Sequence, residues 1–585
     1  MKNPAVRTWI CALILLALFI PVHLFALDQT PTGLYIDEVS MGYDAWCLVN
    51  YGVDRSLDPY PVYLKNYGGG QNALYTYLIA ALISLTGTVN TVIMRIPAAL
   101  FGLLTLIFGA LIVHDLLGKK HPYAWFIFGL FYIVCPYYTM AARFGLESNL
   151  LMGMSTVFLY TLIRAVRTQK TSRFIVSGIA AGIVLYTYAL SYPAMILFLL
   201  AAFIWLLYLR ALRLRDIIAF VLPLAVLALP LIAVQVINLL DLPETVLFGK
   251  ITLTKMDTYR SSELSLSHFF GNLLDVFKVI LCYDSLPANT NPDFWTFYPI
   301  SVPFIIAGGI LCIIRAIRSI RARAFSAYCP VLFWAVAVIL TGALVGGTQE
   351  NLNDPCTYRT NGVMAVAGMC AVLGFFALYD VLRGQWKRVA AGAGALIYAA
   401  CGFLFMRWYF APRDTIVGYL HVPDAVVETI DQAEALEGRT IYMWTYDTYY
   451  LYATLTSPYE YNLPEREPGE PFNGYVFAAP ESPFDMDAVY VAEPCVASHY
   501  QELIDAGFHY VEIGDHCVYR DRSGRPANPG MTFRLFPSHS SELNMERDQN
   551  EKFLYQNMVL GTDPAGSVHS RSPLRAEPNA HRTAH

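Results

Sequence analysis

Residues 73–117 read ALYTYLIAALISL, then TGTVN, then TVIMRIPAALFGLLTLIFGALIVHDLL. The two apolar runs differ in length, and that difference decides the fold. The second, 91–117, exceeds the ~20 residues with which an α-helix crosses a bilayer. The first, Ala73–Leu85, is too short to cross, and with Tyr75 and Tyr77 near its start it reads as a helix lying at the membrane interface. If it crossed, Lys119 and Lys120 would lie outside and every later segment would be reversed. The pattern of basic residues rejects that reading.

Working outward, apolar runs of spanning length recur at 8–27, 122–140, 148–166, 173–190, 192–210, 216–238, 299–316, 325–346, 362–382 and 388–410. With 91–117 they predict eleven spans. The basic residues test this count independently. With Lys2 and Arg7 inside, alternate connections should be basic. Lys119 and Lys120, Arg164 to Arg173, Arg210 to Arg215, Arg315 to Arg323, and Arg383 to Arg388 satisfy this. The N-terminus is therefore expected in the cytoplasm and the C-terminal region outside, on a multi-pass protein of the plasma membrane. A cleaved signal peptide is the alternative reading of 8–27, and it leaves residue 30 onward outside as well.

Composition agrees with a chain that is largely in lipid. Of 585 residues, 56% are hydrophobic and 15% charged, whereas soluble proteins carry about 25% charged residues. Mean hydropathy is +0.43. No basic patch with interleaved aromatics points to nucleic acid. The lipid bilayer is the first partner implied. Past the last span, Thr440–Trp444, Ala488–Val491 and His509–Ile513 look like strands, and 424–436 and 498–506 like helices. The predicted organisation is a helical membrane domain over 1–410 with a large first outer loop, 28–90, a small extracytoplasmic α/β domain over 411–520, and a polar tail over 521–585 without a fold of its own. Cys495 and Cys517 flank a helix-like stretch, and whether they are bridged stays open. No cysteine spacing resembles a metal site.

Ionisable side chains at a membrane boundary are costly, so clusters of them are candidate sites. Asp37 and Glu38 follow the first span, with Asp44 behind them. Arg143 and Glu147 flank the start of the fourth. Arg359 and Asn361 stand at the tenth. Lys65, Tyr67 and Gln71 lie in the same loop as the first pair. Each has a simpler explanation: a solvated span end, an i,i+4 ion pair for Arg143 and Glu147, a headgroup anchor for Arg359, a flexible loop around Lys65. Their joint placement on one membrane face is the stronger signal. Arginine or lysine suits a phosphate, and a carboxylate suits a proton to be removed.

At these residues the chain resembles the GT-C superfamily of membrane glycosyltransferases, most of all the branch of protein O-mannosyltransferases and lipid A aminoarabinose transferases. That family has an acidic pair after the first span, a short interfacial segment, an arginine near the second span and a second acid in the next outer loop. Here these are Asp37 and Glu38, Ala73–Leu85, Arg95, and Glu147 after Arg143. The Arg359-x-Asn361 stretch is similar to a feature of bacterial members. The second acid is often aspartate, so Glu147 is a departure. The resemblance implies transfer of a sugar, with inversion, from a polyprenyl-phosphate donor to an extracytoplasmic acceptor. It implies Asp37 as the base, Glu38 and Glu147 as orienting acids, and Lys65, Arg143 and Arg359 on the donor phosphate. Asp44, Tyr67, Gln71 and Asn361 would line the pocket, and no metal or other cofactor is indicated.

Two other classes compete. A transporter or flippase of lipid-linked precursors would place charge near mid-span, and these spans carry almost none. A non-catalytic sensor or scaffold would not need the acidic cluster.

Overall fold

The computed structural model describes residues 4–66, 69–256, 268–282, 289, 293–345, 359–411, 440–444, 447–463, 471–477, 484–485, 488–492, 503, 505–506, 509–513 and 516–520. Among them, nine helices are long and apolar enough to cross a membrane. Each falls on one of the eleven expected spans. The other two expected spans fall on shorter helices.

The chain opens with α1 (Pro4–Leu24), α2 (Ile36–Tyr51) and a hairpin of β1 (Tyr63–Asn66) and β2 (Gly69–Asn72). The hairpin pairs Tyr63 with Asn72 and Lys65 with Gly70, and a side chain at Gly70 would strike the Tyr63 ring. The short helix α3 (Leu74–Thr86) covers the run judged too short to span, and Gly87 closes it in the left-handed conformation that glycine adopts without strain. Next come α4 (Thr91–Leu117), α5 (Ala124–Val134) and α6 (Pro136–Ala141). The expected span 122–140 is broken between the last two. Pro136 disfavours helical geometry at Cys135, which is extended, and then serves as the first residue of a new helix.

The remaining elements of this part are α7 (Ser148–Thr168), α8 (Thr171–Leu185), α9 (Ser191–Tyr208), α10 (Leu214–Leu239), β3 (Thr245–Leu247), β4 (Ile251–Leu253), α11 (Phe269–Leu281), α12 (Val302–Arg321), α13 (Tyr328–Val345), α14 (Asn361–Val381) and α15 (Gln385–Tyr409). Their contacts follow the rule for helices in lipid, where small residues let backbones touch. A Cβ at Gly308 of α12 would overlap the Cys370 carbonyl of α14, and one at Gly374 would overlap the Phe304 carbonyl. Larger rings fill the interior: Trp334 packs edge-on against Phe158 and Phe198, and its indole N–H donates to the Gly362 carbonyl at 2.7 Å. At the helix ends, Arg167 pairs with Asp115 and Lys120 with Asp380, each at 2.6 Å.

Two compact units divide the chain. The first holds residues up to Pro31, Asp44–Asp54 and Asp58–Asp414; the second holds Thr32–Tyr43, Arg55–Leu57 and Thr415–His585. The second unit contains β5 (Ile441–Trp444), β6 (Tyr475–Val476), β7 (Val489–Ala492), β8 (His509–Ile513) and β9 (His516–Arg520), in the order β6-β5-β7-β9-β8. Its first three strands run parallel and the last two pair antiparallel. The three expected strands coincide with β5, β7 and β8. The early segment is tied into this unit: Tyr43 donates to the Thr456 carbonyl at 2.6 Å, and Tyr449 to that of Leu34 at 3.3 Å. Helix 424–436, Tyr67, Cys495 and the tail 521–585 lie outside the described residues.

Candidate functional site

Asp37 and Glu38 are the second and third residues of α2, a helix that the sequence reading did not anticipate. Tyr35 caps it. Its carbonyl accepts from Val39 N–H at 3.1 Å, and its own N–H donates to Glu38 Oε2, also at 3.1 Å. Glu38 thus makes the return half of a capping box, and it is fully buried. Asp37 is only half-buried. A carboxylate in the first turn is stabilised by the helix dipole by ~0.3–1 kcal/mol. The pair therefore divides into an inner acid that holds the helix start and an outer acid that is more accessible. Asp44, two turns on, is buried. Asp37 and Glu38 belong to the second compact unit and the other described candidates to the first.

Within the first unit the candidates gather around the start of α7. Glu147 accepts the Asn72 backbone N–H at 2.6 Å, and Asn72 Oδ1 accepts from the Tyr192 hydroxyl at 2.8 Å. One acid thereby joins the β1–β2 hairpin, α7 and α9. The next residues continue the network. Asn361 donates to Ser148 Oγ at 3.1 Å and to Asn149 Oδ1 at 2.9 Å, and Asn289 donates to the same Asn149 oxygen at 2.9 Å. Gln71, buried on β2, accepts from Asn66 at 3.3 Å. Arg359 is half-buried two residues before Asn361.

Arg143 differs from expectation. It does not pair with Glu147, and the structure gives it backbone partners where the sequence reading expected a phosphate. Its guanidinium donates to the carbonyls of Val22, Phe25, Ala26 and Thr30 at 2.7–3.0 Å and lies 4.8 Å from the Phe410 ring centre. Arg95 donates to the carbonyls of Leu27 and Pro31, both at 2.8 Å. Both arginines are fully buried. Together they gather six carbonyls where α1 ends and just beyond it, and they brace the chain six residues before Asp37.

Lys65 is also engaged, by carboxylates. Its ammonium lies 3.0 Å from Asp58 and 3.0 Å from Glu244. The surrounding backbone is stitched together: Val62 N–H donates to the Thr252 carbonyl and Thr252 N–H to that of Pro59, each at 3.0 Å, so β4 lies along residues 59–62. Burial, with Asp54 nearby, pushes the Asp58 carboxyl up to about 7 despite Lys65. Burial also raises Glu244, but the hydrogen bond and charge of Lys65 outweigh it and hold Glu244 below its ordinary value. Among the described residues no group of three His, Cys, Asp or Glu side chains is placed to hold a metal ion.

Sequence reasoning missed Asn72, Asn149, Asn289, Tyr192, Asp58 and Glu244. Asn149 carried a usable signal. An amide just inside an apolar helix needs a partner, and Glu147-Ser148-Asn149 opens one.

Residues 72–237 match the family model described as dolichyl-phosphate-mannose-protein mannosyltransferase. No curated protein sequence matches the chain. Among solved structures, ArnT from Cupriavidus metallidurans in the apo state is similar at a TM-score of 0.51 and 14% identity, covering 88% of this chain and 98% of that one. The same protein bound to undecaprenyl phosphate gives 0.50 and 13%, with the same coverage. The Archaeoglobus fulgidus oligosaccharyltransferase in complex with Zn and sulfate gives 0.50 and 12%, covering 87% of this chain and 73% of that one. The chain is thus a multi-pass membrane protein with a GT-C-like fold.

Proposed function

We propose that this protein transfers a sugar from a polyprenyl-phosphate donor to an acceptor on the extracytoplasmic side of the plasma membrane, with inversion. A hydroxyl or amine of the acceptor attacks the anomeric carbon, the bond from that carbon to the phosphate oxygen breaks, and the acceptor's proton passes to Asp37. The polyprenyl phosphate leaves with an additional negative charge, and stabilising such charge is commonly the largest catalytic contribution. Lys65 and Arg359 are the side chains proposed to meet it. Arg143 is given a new role, as a brace of the chain where α1 ends. Glu147 holds the β1–β2 hairpin, and Glu38 holds the helix that carries Asp37.

The observation that carries this reading is the division within the acidic pair. Glu38 is buried on the Tyr35 N–H, while Asp37 stays half-exposed at a helix start. The ArnT structure with undecaprenyl phosphate is that of a protein with the same fold and supports the donor class. The alternation of basic connections supports an inside N-terminus. The proposed reaction uses no metal, and transfer should survive EDTA.

The test is transfer of radiolabelled sugar from a panel of polyprenyl-phosphate sugars in nanodiscs, wild type against Asp37→Asn. Loss of a general base lowers the rate by about 10²–10⁴-fold, with thermal stability nearly unchanged. Equal turnover by the variant would remove Asp37 from its role.

A further inference from the structure

Three buried asparagines meet near the start of α7: Asn149 from α7, Asn361 from α14, and Asn289 from the chain between α11 and α12. Asn289 and Asn361 are fully buried and Asn149 is 2% exposed. Asn149 is the anchor: its amide N–H₂ donates to the Phe144 carbonyl at 2.8 Å, and its Oδ1 receives the amides of both other asparagines at 2.9 Å. These bonds fix the orientation of the two outer amides. Turning either over would set its carbonyl oxygen against the Asn149 oxygen, and for Asn361 would also give up the bond to Ser148 Oγ.

An amide that only joins helices uses both of its ends. Here the nitrogen ends are used, while Asn289 Oδ1 and Asn361 Oδ1, although buried, accept no hydrogen bond from the described residues. Buried acceptors in that state are the exception in proteins and point to a partner that the described residues do not supply. The cluster begins two residues after Glu147, which itself holds the hairpin bearing Lys65. Across that junction Asn72, also fully buried, has its Oδ1 on Tyr192 while its Nδ2 has no acceptor among the described residues. The network therefore offers two oriented acceptors and one donor, and the asparagine trio itself contains no carboxylate. Such a set fits neighbouring hydroxyl groups, each of which donates and accepts, better than it fits an ammonium or a second phosphate.

We propose that Asn289 and Asn361, held by Asn149, recognise hydroxyl groups of the donor's sugar, and that this sugar is a neutral hexose or pentose. The inference rests on the transferase reading above and deepens it.

The experiment uses the full chain in nanodiscs with three probes: a neutral polyprenyl-phosphate sugar, its series of single-deoxy analogues, and sugar-free polyprenyl phosphate. Asn361→Ala and Asn289→Ala are each expected to lower kcat/KM for the intact donor by about tenfold or more. Each variant should lose little further with the one deoxy donor that lacks its own partner hydroxyl. Binding of sugar-free polyprenyl phosphate should stay at the wild-type level. Equal losses on every donor, a parallel loss of sugar-free phosphate binding, or no loss at all would overturn the inference and leave the asparagines as helix contacts. If neither variant folds, wild type alone decides: it should disfavour particular deoxy donors and amino-sugar donors. Indifference to both would overturn the inference. Wild type inert on every donor would overturn the transferase reading itself, a result distinct from activity without hydroxyl preference.

Discussion

Arg143 and Lys65 are both cations that the sequence assigned to a phosphate, and the structure treats them in opposite ways. Arg143 is fully buried and meets four neutral carbonyls. Lys65 is partly exposed between two acids. The Arg143 guanidinium has its two terminal nitrogens on carbonyls but keeps its charge, and charge counts for more where the dielectric constant is low. An ammonium between carboxylates has its charge matched but can exchange partners. The fixed cation can set a field and hold a chain. The exchangeable cation can follow an incoming anion.

The largest effect should come from the fixed one. Arg143→Leu removes four hydrogen bonds to the carbonyls of Val22, Phe25, Ala26 and Thr30, of which that to Thr30 is buried, and each buried acceptor left unpaired costs about 1–3 kcal/mol. The variant should lose about 2–4 kcal/mol, seen as a large fall in thermal midpoint in detergent or as failure to accumulate in the membrane. Arg143→Lys should recover only part of this, because an ammonium cannot reach four carbonyls with the spread of a guanidinium. A variant as stable as wild type would show that the brace is dispensable and return Arg143 to the phosphate.

Lys65→Gln should behave in the opposite sense, with a small change in stability and a large one in turnover. Lys65 and Glu244 are partly exposed while Asp58 is buried, and a partly exposed pair contributes about 0–1 kcal/mol. Loss of a cation on the leaving phosphate should lower kcat by about 10²-fold or more. A variant with normal kcat would mean that Lys65 only ties the β1–β2 hairpin to the chain before β3. Sensitivity of Lys65→Gln in stability rather than rate would erase the contrast with Arg143.

What was legible in the sequence follows the same division. The spans could be read because each is a continuous apolar run whose length alone has physical meaning, and Pro136 marks the one break inside 122–140. The pairing of Asp37 with Glu38 was legible; the inequality between them was not, because it depends on a cap at Tyr35 and on burial. Asn72 and Glu147 meet across 75 positions, and Asn149 and Asn361 across 212. No local period reports such contacts. Lys65 shows the limit most clearly. Its type and loop suggested an anion, but whether that anion comes from a substrate or from Glu244 is decided by a residue far along the chain, just before β3. The buried arginines were visible as residues, yet their neutral partners carry no sequence signature at all, since any residue supplies a carbonyl.

The smallest effect concerns how tightly Lys65 is held. Asp58 has its carboxyl pushed up to about 7 from an ordinary 3.8, chiefly by burial, and then by Asp54 and Glu244 against the opposing pull of Lys65. The fold therefore favours protonated Asp58, so its contribution to stability is complete below pH ~4 and is lost as pH rises through about 7. Glu244 and Lys65 act in other windows. Glu244 is held below its ordinary value and loses its contribution only in acid, and Lys65 is raised and stays charged throughout. Between pH 5 and 8 the cluster should thus gain one negative charge, on Asp58. The thermal midpoint is expected to fall modestly over that interval. Asp58→Asn should flatten the fall and leave the variant the more stable form at pH 8, because the amide cannot ionise beside Asp54 and Glu244. Ionised Asp58 also tightens the grip on Lys65, so KM for the donor should rise from pH 6 to 8 in wild type and not in Asp58→Asn. Parallel pH profiles for the two proteins would show that Asp58 is already ionised below this range, and that Lys65 is held as firmly at pH 6 as at pH 8.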